Sequence, residues 1–266
     1  LNGLYVGSEY AVESGTVGAV LGGTAALSKN TAGTVLLTGT NLYSGTTTVN
    51  GGKLQLGVNN ALSTNTDVTL NAGELALGLT AQQVATVRLV SGILSGGSLT
   101  GTVYTVEVGN ISTVLGGTAA LTKNTDGTVL LTGTNLYTGV TTVNAGRLEL
   151  GVSSALSAST DVMVIAGELA LGTTLQQVAS VHLVGGTLSG GSLTGTVYTV
   201  ESGSISTVLG GTAALTKNMG GTVLLTGTNL YTGLTTVNGG KLELGVNNAL
   251  STSTDVTVNA GELALG

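Results

Sequence analysis

GTVLLTGTNLYTGVTTVNAGRLELG (residues 127–151) decides the fold. After Gly127, Val129 and Leu131 fall on one face of an alternating stretch and Thr128 and Leu130 on the other, the period of a β-strand. After Gly146 the same alternation returns in Leu148 and Leu150. Between them Thr141–Asn144 (TTVN) forms a second short strand, so two strands and their turns fit into one glycine-to-glycine beat.

Working outward, near-copies of this stretch stand at 33–57 and 221–245, and TVLLTGTNLY recurs at 34–43, 128–137 and 222–231, a period of 94 residues. The shorter beat continues throughout, at Gly15, Gly33, Gly52, Gly73, Gly92 and Gly109, with spacings of 18, 19, 21, 19 and 17 that then repeat. Two residues after each glycine stands an apolar residue, as at Val17, Val35, Leu54, Leu75, Leu94 and Ile111. Self-similar units of this size stack so that each contacts only its neighbours. The pattern predicts an all-β, single-stranded β-solenoid of about 14 coils of 17–21 residues in three 94-residue repeats. It reads as one continuous solenoid over 1–266, with copies at 1–78 (partial), 79–172 and 173–266. A sandwich or barrel would space its strands 8–12 residues apart but needs no near-identical copies. At about 4.8 Å per coil the expected rod is roughly 65–70 Å long.

Composition agrees. Among 266 residues there are 45 Gly and no Pro, Cys, Trp or Phe, with 41% hydrophobic and 8% charged residues. Glycine suits tight corners, and the absence of proline suits strands that use their N–H groups in ladders. A mean hydropathy of +0.46 is opposite to the disorder signature. The net charge of −6, without a basic cluster, offers no footprint for nucleic acid. No apolar run approaches the roughly 20 residues of a spanning helix, so no membrane insertion by this segment is expected. The opening LNGLYVGSEY lacks the features of a signal peptide.

The three 25-residue segments resemble the passenger-associated repeat of bacterial autotransporters, whose members read Gly-Thr-Leu-x-Leu-x-Gly, an Asn-x-Tyr-x-Gly turn, Thr-Thr-Val-Asn and Gly-x-Leu-x-Leu-Gly. The resemblance implies a right-handed β-helix exported to the cell surface. One departure is that Leu36, Leu130 and Leu224 occupy places where the family carries small or polar residues. By strand alternation these three point outward.

Paired acids are the simplest route to hydrolysis of glycans. Aligning the glycines places Lys53 beside Glu74, Arg147 beside Glu168 and Lys241 beside Glu262, each pair one coil apart on the outer face. These are structural ion pairs, worth about 0.2–1 kcal/mol each. Glu13, Glu107 and Glu201 stand alone near Tyr10, Tyr104 and Tyr198, and Asp67, Asp161 and Asp255 read as turn residues. Asn41, Asn135 and Asn229 fall in the Asn-Leu-Tyr turn, where Asn is expected for its tolerance of left-handed φ and its local bonding. His182 is the one histidine, outward, with Arg88 as its counterpart one copy earlier. No Gly-Gly-x-Gly-x-Asp calcium pattern, nucleophile elbow or phosphate loop occurs. The outer column after each glycine mixes Thr with charges, which argues against an ice-binding array. No catalytic, metal or cofactor site is expected.

The sequence points to a non-catalytic, extracellular or surface-exposed structural and adhesive solenoid, with a host or neighbouring-cell surface ligand as partner. The alternative is a self-assembling fibre, joined end to end or side by side, with Leu36, Leu130 and Leu224 as the lateral contact. A glycan lyase or hydrolase on a β-helix needs a groove built by long loops, and coils of 17–21 residues leave little room for one.

Overall fold

A computed structural model describes residues 3–266. Two compact units divide the chain: one ends at Leu121 and takes in Val129–Tyr137, and the other comprises Thr122–Thr128 with Thr138–Gly266. Both are β-solenoids, and no helix occurs among the described residues.

In the first unit the strands alternate between two parallel sheets. The glycine-led sheet stacks Gly15–Val17, Thr34–Leu37, Lys53–Leu56, Glu74–Gln83, Ile93–Thr100, Gly109–Ile111 and residues 129–131. The second sheet stacks Tyr10–Val12, Leu27–Lys29, Thr47–Val49, Val68–Leu70, Thr86–Leu89 and Val103–Val106. The second unit repeats the plan. Its glycine-led sheet runs from Arg147–Leu150 through Glu168–Gln177, Thr187–Thr194, Gly203–Ile205, Thr222–Leu225 and Lys241–Leu244 to Glu262–Leu265. Its second sheet runs from Thr141–Val143 through Asp161–Val164, Ser180–Leu183, Val197–Val200, Ala214–Lys217 and Thr235–Val237 to Val256–Val258. Each strand pairs with strands one coil before and after, not with its sequence neighbour, as stacked coils require.

Alternation builds the core. Val35, Leu54, Leu75 and Leu94 are register partners in turn and are all buried, and Leu148, Leu169 and Leu188 do the same in the second unit. The glycine frame breaks at three steps. Gly15 pairs with Val35, Gly109 with Val129 and Gly203 with Val223, so Ile111 lies against Leu131 and not against Val129. The slip is two residues, and an even slip leaves every side chain on its own face. Consequently the core tolerates it, and the outward neighbour of Ser204 becomes Leu224.

A third side is less regular. Short pairs such as Ser98–Thr100 with Val114–Gly116 alternate with the extended Asn-Leu-Tyr segment. There Leu42 N–H donates to Leu21 O at 2.7 Å and Ser44 N–H to Gly23 O at 2.9 Å. Asn41, Asn135 and Asn229 do not adopt the left-handed φ expected of them; that conformation belongs to Asn60, Ser154 and Asn248. Instead they are buried bridges. Asn41 Oδ1 accepts from Leu21 N–H at 2.8 Å and its Nδ2 donates to Ala61 O at 2.6 Å, joining three successive coils. Asn229 does the same between Leu209 N–H and Ala249 O. The side-chain amide satisfies backbone groups that an interrupted ladder would leave unpaired.

The glycine that ends this segment sits directly on the coil before it. A Cβ added at Gly233 would lie 2.2 Å from Ala213 O, whereas one at Gly220 would meet nothing within 4 Å. Gly233→Ala is therefore expected to lower stability by about 1–3 kcal/mol, the usual cost of overpacking, and Gly220→Ala to change it by less than about 0.5 kcal/mol. Chemical denaturation of the two variants checks this; equal midpoints would contradict the packing.

Candidate adhesive surface

With one side of most strands committed to the core, the functional surface is the set of outward columns. On the second sheet these place Ser28, Thr48 and Thr69 side by side in the first unit, and Thr199, Thr216, Thr236 and Thr257 in the second. Arg88 and His182 interrupt the row.

The charged groups are engaged with one another. Lys53 Nζ lies 3.3 Å from Glu74 Oε1, and Ser95 Oγ donates to the same oxygen at 2.6 Å. Arg147 reaches Glu168 at 2.6 Å and Glu149 at 3.3 Å, so one guanidinium serves two carboxylates. Partial burial pushes the Glu168 carboxyl up, and the Ser189 hydroxyl and Arg147 outweigh it, holding the group below its ordinary value. Lys241 departs from this arrangement: Glu262 is its register neighbour, but its ammonium lies 3.0 Å from Glu243 on its own strand. Glu262 is exposed, so Lys241 gains less by reaching across to it than Arg147 gains at half-buried Glu168.

Two acids that read as solitary in the sequence are paired. Glu107 accepts from Arg88 Nη2 at 2.8 Å and Nε at 3.1 Å, and Glu201 lies 2.7 Å from His182 Nε2. The sequence spacing of 19 residues in both cases is the signal that would have found them. All these pairs sit at the surface, where an ion pair contributes little and is screened by salt.

Leu36, Leu130 and Leu224 lie on the outer face and are half-buried. A methyl of Leu36 sits over Gly57 of the next coil, and Leu224 sits over Gly245 in the same way. More prominent are leucines that alternation along Asn-Leu-Tyr would have marked. Leu42, Leu136 and Leu230, one per copy, are 66%, 67% and 66% exposed between a buried Asn and a buried Tyr. Leu79 and Leu175 project from the bulged strands Glu74–Gln83 and Glu168–Gln177.

Inside lie polar groups at positions of strand parity otherwise filled by apolar residues. Lys29, Lys123 and Lys217 occupy inward strand positions and are fully buried. The Lys29 ammonium donates to Thr31 O and Gly51 O, and that of Lys217 to Met219 O and, at 3.0 Å, to Gly239 O. Burial lowers the pKa of Lys29 and Lys217, opposed by the charges of Glu13 and Glu201. Tyr43 and Tyr231 are also buried, with hydroxyls on Thr47 at 2.6 Å and Thr235 at 2.7 Å. Burial drives both phenols up, Tyr231 to about 12 and Tyr43 further, and it also raises Tyr104 and Tyr198 against their hydrogen bonds with the backbone.

Residues 27–56, 121–150 and 215–244 match the passenger-associated-transport-repeat. The chain is also 36% identical, over 251 aligned positions covering 82% of its length, to the adhesin BmaC autotransporter of Brucella suis biovar 1 (strain 1330). It spans 7% of that protein's length. No solved structure matches the chain.

The raised phenols fix a pH dependence. A tyrosine whose folded pKa exceeds its unfolded value contributes stability that is present below about pH 10 and lost as pH rises through the folded value. The buried lysines act in the opposite sense, their cost being relieved toward their unfolded value, and the more strongly shifted tyrosines set the sign. Stability should fall above about pH 10, with phenolate absorbance rising together with the loss of β-structure by circular dichroism. Phenolate formation by more than the exposed Tyr5, well before any loss of β-structure, would contradict the burial of these rings. Separately, Lys217→Ala should lower stability by about 1–3 kcal/mol, since it strands carbonyl groups that the ammonium satisfies; an unchanged denaturation midpoint would contradict that role.

Proposed function

On the premise of a chain that carries three passenger-associated-transport-repeats, we propose that it is an extracellular, surface-displayed adhesive segment that acts through its outer faces and not by catalysis. The observation that carries this reading is the repetition of one outward surface on which four glutamates are each engaged by neighbouring side chains. Glu74, Glu107, Glu168 and Glu201 each face a basic side chain, and Glu74 and Glu168 also accept from a serine. A hydrolytic pair needs one carboxyl protonated and the other ionised around a substrate cleft. Here the Ser189 hydroxyl and Arg147 favour the charged form of Glu168.

The likeness to an adhesin supports a ligand on a host or neighbouring cell surface. The exposed Leu42, Leu136 and Leu230 supply repeated apolar contacts amid threonines, so that weak contacts sum by multivalency. The side-by-side fibre contact through Leu36, Leu130 and Leu224 gains nothing from side chains that are half-buried against their own coils.

Beads coated with the purified chain should adhere saturably to cultured epithelial cells or to bacteria. Replacing Leu42, Leu136 and Leu230 with Thr should reduce adhesion about tenfold or more if three contacts act together. Absence of adhesion to either surface would overturn the reading, as would release of sugar from a polysaccharide that Glu168→Gln abolishes.

A further inference from the structure

The outer corner after each second-sheet strand carries asparagines in register. In the first unit Asn50 Nδ2 donates to Asn30 Oδ1 at 2.7 Å, and Asn71 Nδ2 donates to Asn50 Oδ1 at 2.8 Å. In the second unit Asn238 Nδ2 donates to Asn218 Oδ1 at 2.9 Å, and Asn259 Nδ2 to Asn238 Oδ1 at 2.8 Å. The middle amide of each trio is thus held from both sides, although all six side chains are exposed.

Both middle residues precede glycine, as Asn50-Gly51 and Asn238-Gly239. Exposed Asn-Gly is the dipeptide most prone to spontaneous deamidation, because glycine lacks the side chain that hinders its own nitrogen. That nitrogen attacks Asn Cγ, the Cγ–Nδ2 bond breaks and ammonia leaves, giving a succinimide. Water then opens the ring to aspartate or isoaspartate. For the attack, Cγ must swing towards the glycine nitrogen, and both amide hydrogen bonds must break.

The intermediate copy supplies a natural comparison. There Asn144 Nδ2 donates to Asn124 Oδ1 at 2.6 Å, but the third place is Ile165, and the residue after Asn144 is Ala145. Alanine occupies this corner at Ala145, and Gly51 and Gly239 do not have left-handed φ, so backbone conformation does not demand glycine at either place, although an added Cβ would lie 3.1 Å from Asn30 O and 3.0 Å from Asn218 O. Glycine follows the middle asparagine where the trio is complete and is missing where the trio is broken.

We propose that Asn50-Gly51 and Asn238-Gly239 are succinimide-forming sites kept unreacted by the amide ladders Asn30–Asn50–Asn71 and Asn218–Asn238–Asn259. Asparagine is a chemically labile residue, and a displayed surface that must persist gains from such protection.

The test is peptide-mapping mass spectrometry of the full chain after prolonged incubation at mildly alkaline pH, beside a synthetic peptide of residues 48–52. Wild-type Asn50 should deamidate far more slowly than the peptide. Asn71→Ala and, separately, Asn30→Ala should each speed reaction at Asn50 about fivefold for the hydrogen bond lost. Asn238, in the other unit, is the internal control and should stay at its wild-type rate. Unchanged Asn50 rates in both variants, a wild-type rate equal to the peptide's, or equal acceleration at Asn50 and Asn238 in both variants would each overturn the proposal.

Discussion

Parallel hydrogen bonding between successive coils requires the backbone of each coil to lie over that of the next at about 4.8 Å. This stacking constraint governs what each position of the chain can be. A side chain directed inward meets its counterparts from the coils on either side, which favours Val and Leu of similar volume, as in the buried columns through Val35, Leu54, Leu75 and Leu94. At corners the same closeness brings one backbone onto another. Gly233, whose added Cβ would fall on Ala213 O, shows how little space remains.

Where the ladder is interrupted, side chains complete it. Asn41 and Asn229 join neighbouring coils through their amides, Tyr104 accepts from Gly101 N–H and donates to Leu99 O or Gly116 O, and the lysine ammonium groups fill carbonyl-lined corners. Such groups are costly to bury unpaired and stabilising once satisfied. Recurrence of all three at intervals of 94 residues makes the polar interior as periodic as the apolar one.

Much of this was legible from period-2 alternation combined with exact recurrence: the strands, their inward residues and the neighbours of Lys53 and Arg147. What alternation could not supply was coil-to-coil register at the steps into Val35, Val129 and Val223, where a two-residue slip preserves every face and so leaves no trace in the pattern. Burial of Lys29 was visible in its parity with Leu27, but its tolerance depends on carbonyl groups assembled from another coil. Asn41 looked like a turn residue because its partners, Leu21 and Ala61, lie 20 positions away in either direction. The exposed Leu42 followed from the same alternation, once the Asn-Leu-Tyr segment is taken as extended backbone and not as a tight turn.

The surface follows from the interior. Stacking presents each outward residue type as a row, so threonines, asparagines and single leucines are offered repeatedly at fixed intervals, a format suited to many weak contacts. All of this rests on parallel stacking one coil apart. The most direct measurement is the set of nuclear Overhauser contacts between strands in isotope-labelled protein. The account predicts contacts linking Thr48 with Thr69 and Thr216 with Thr236, partners 21 and 20 residues apart. Antiparallel contacts joining sequence-adjacent strands, such as Thr34–Leu37 with Thr47–Val49, would contradict it.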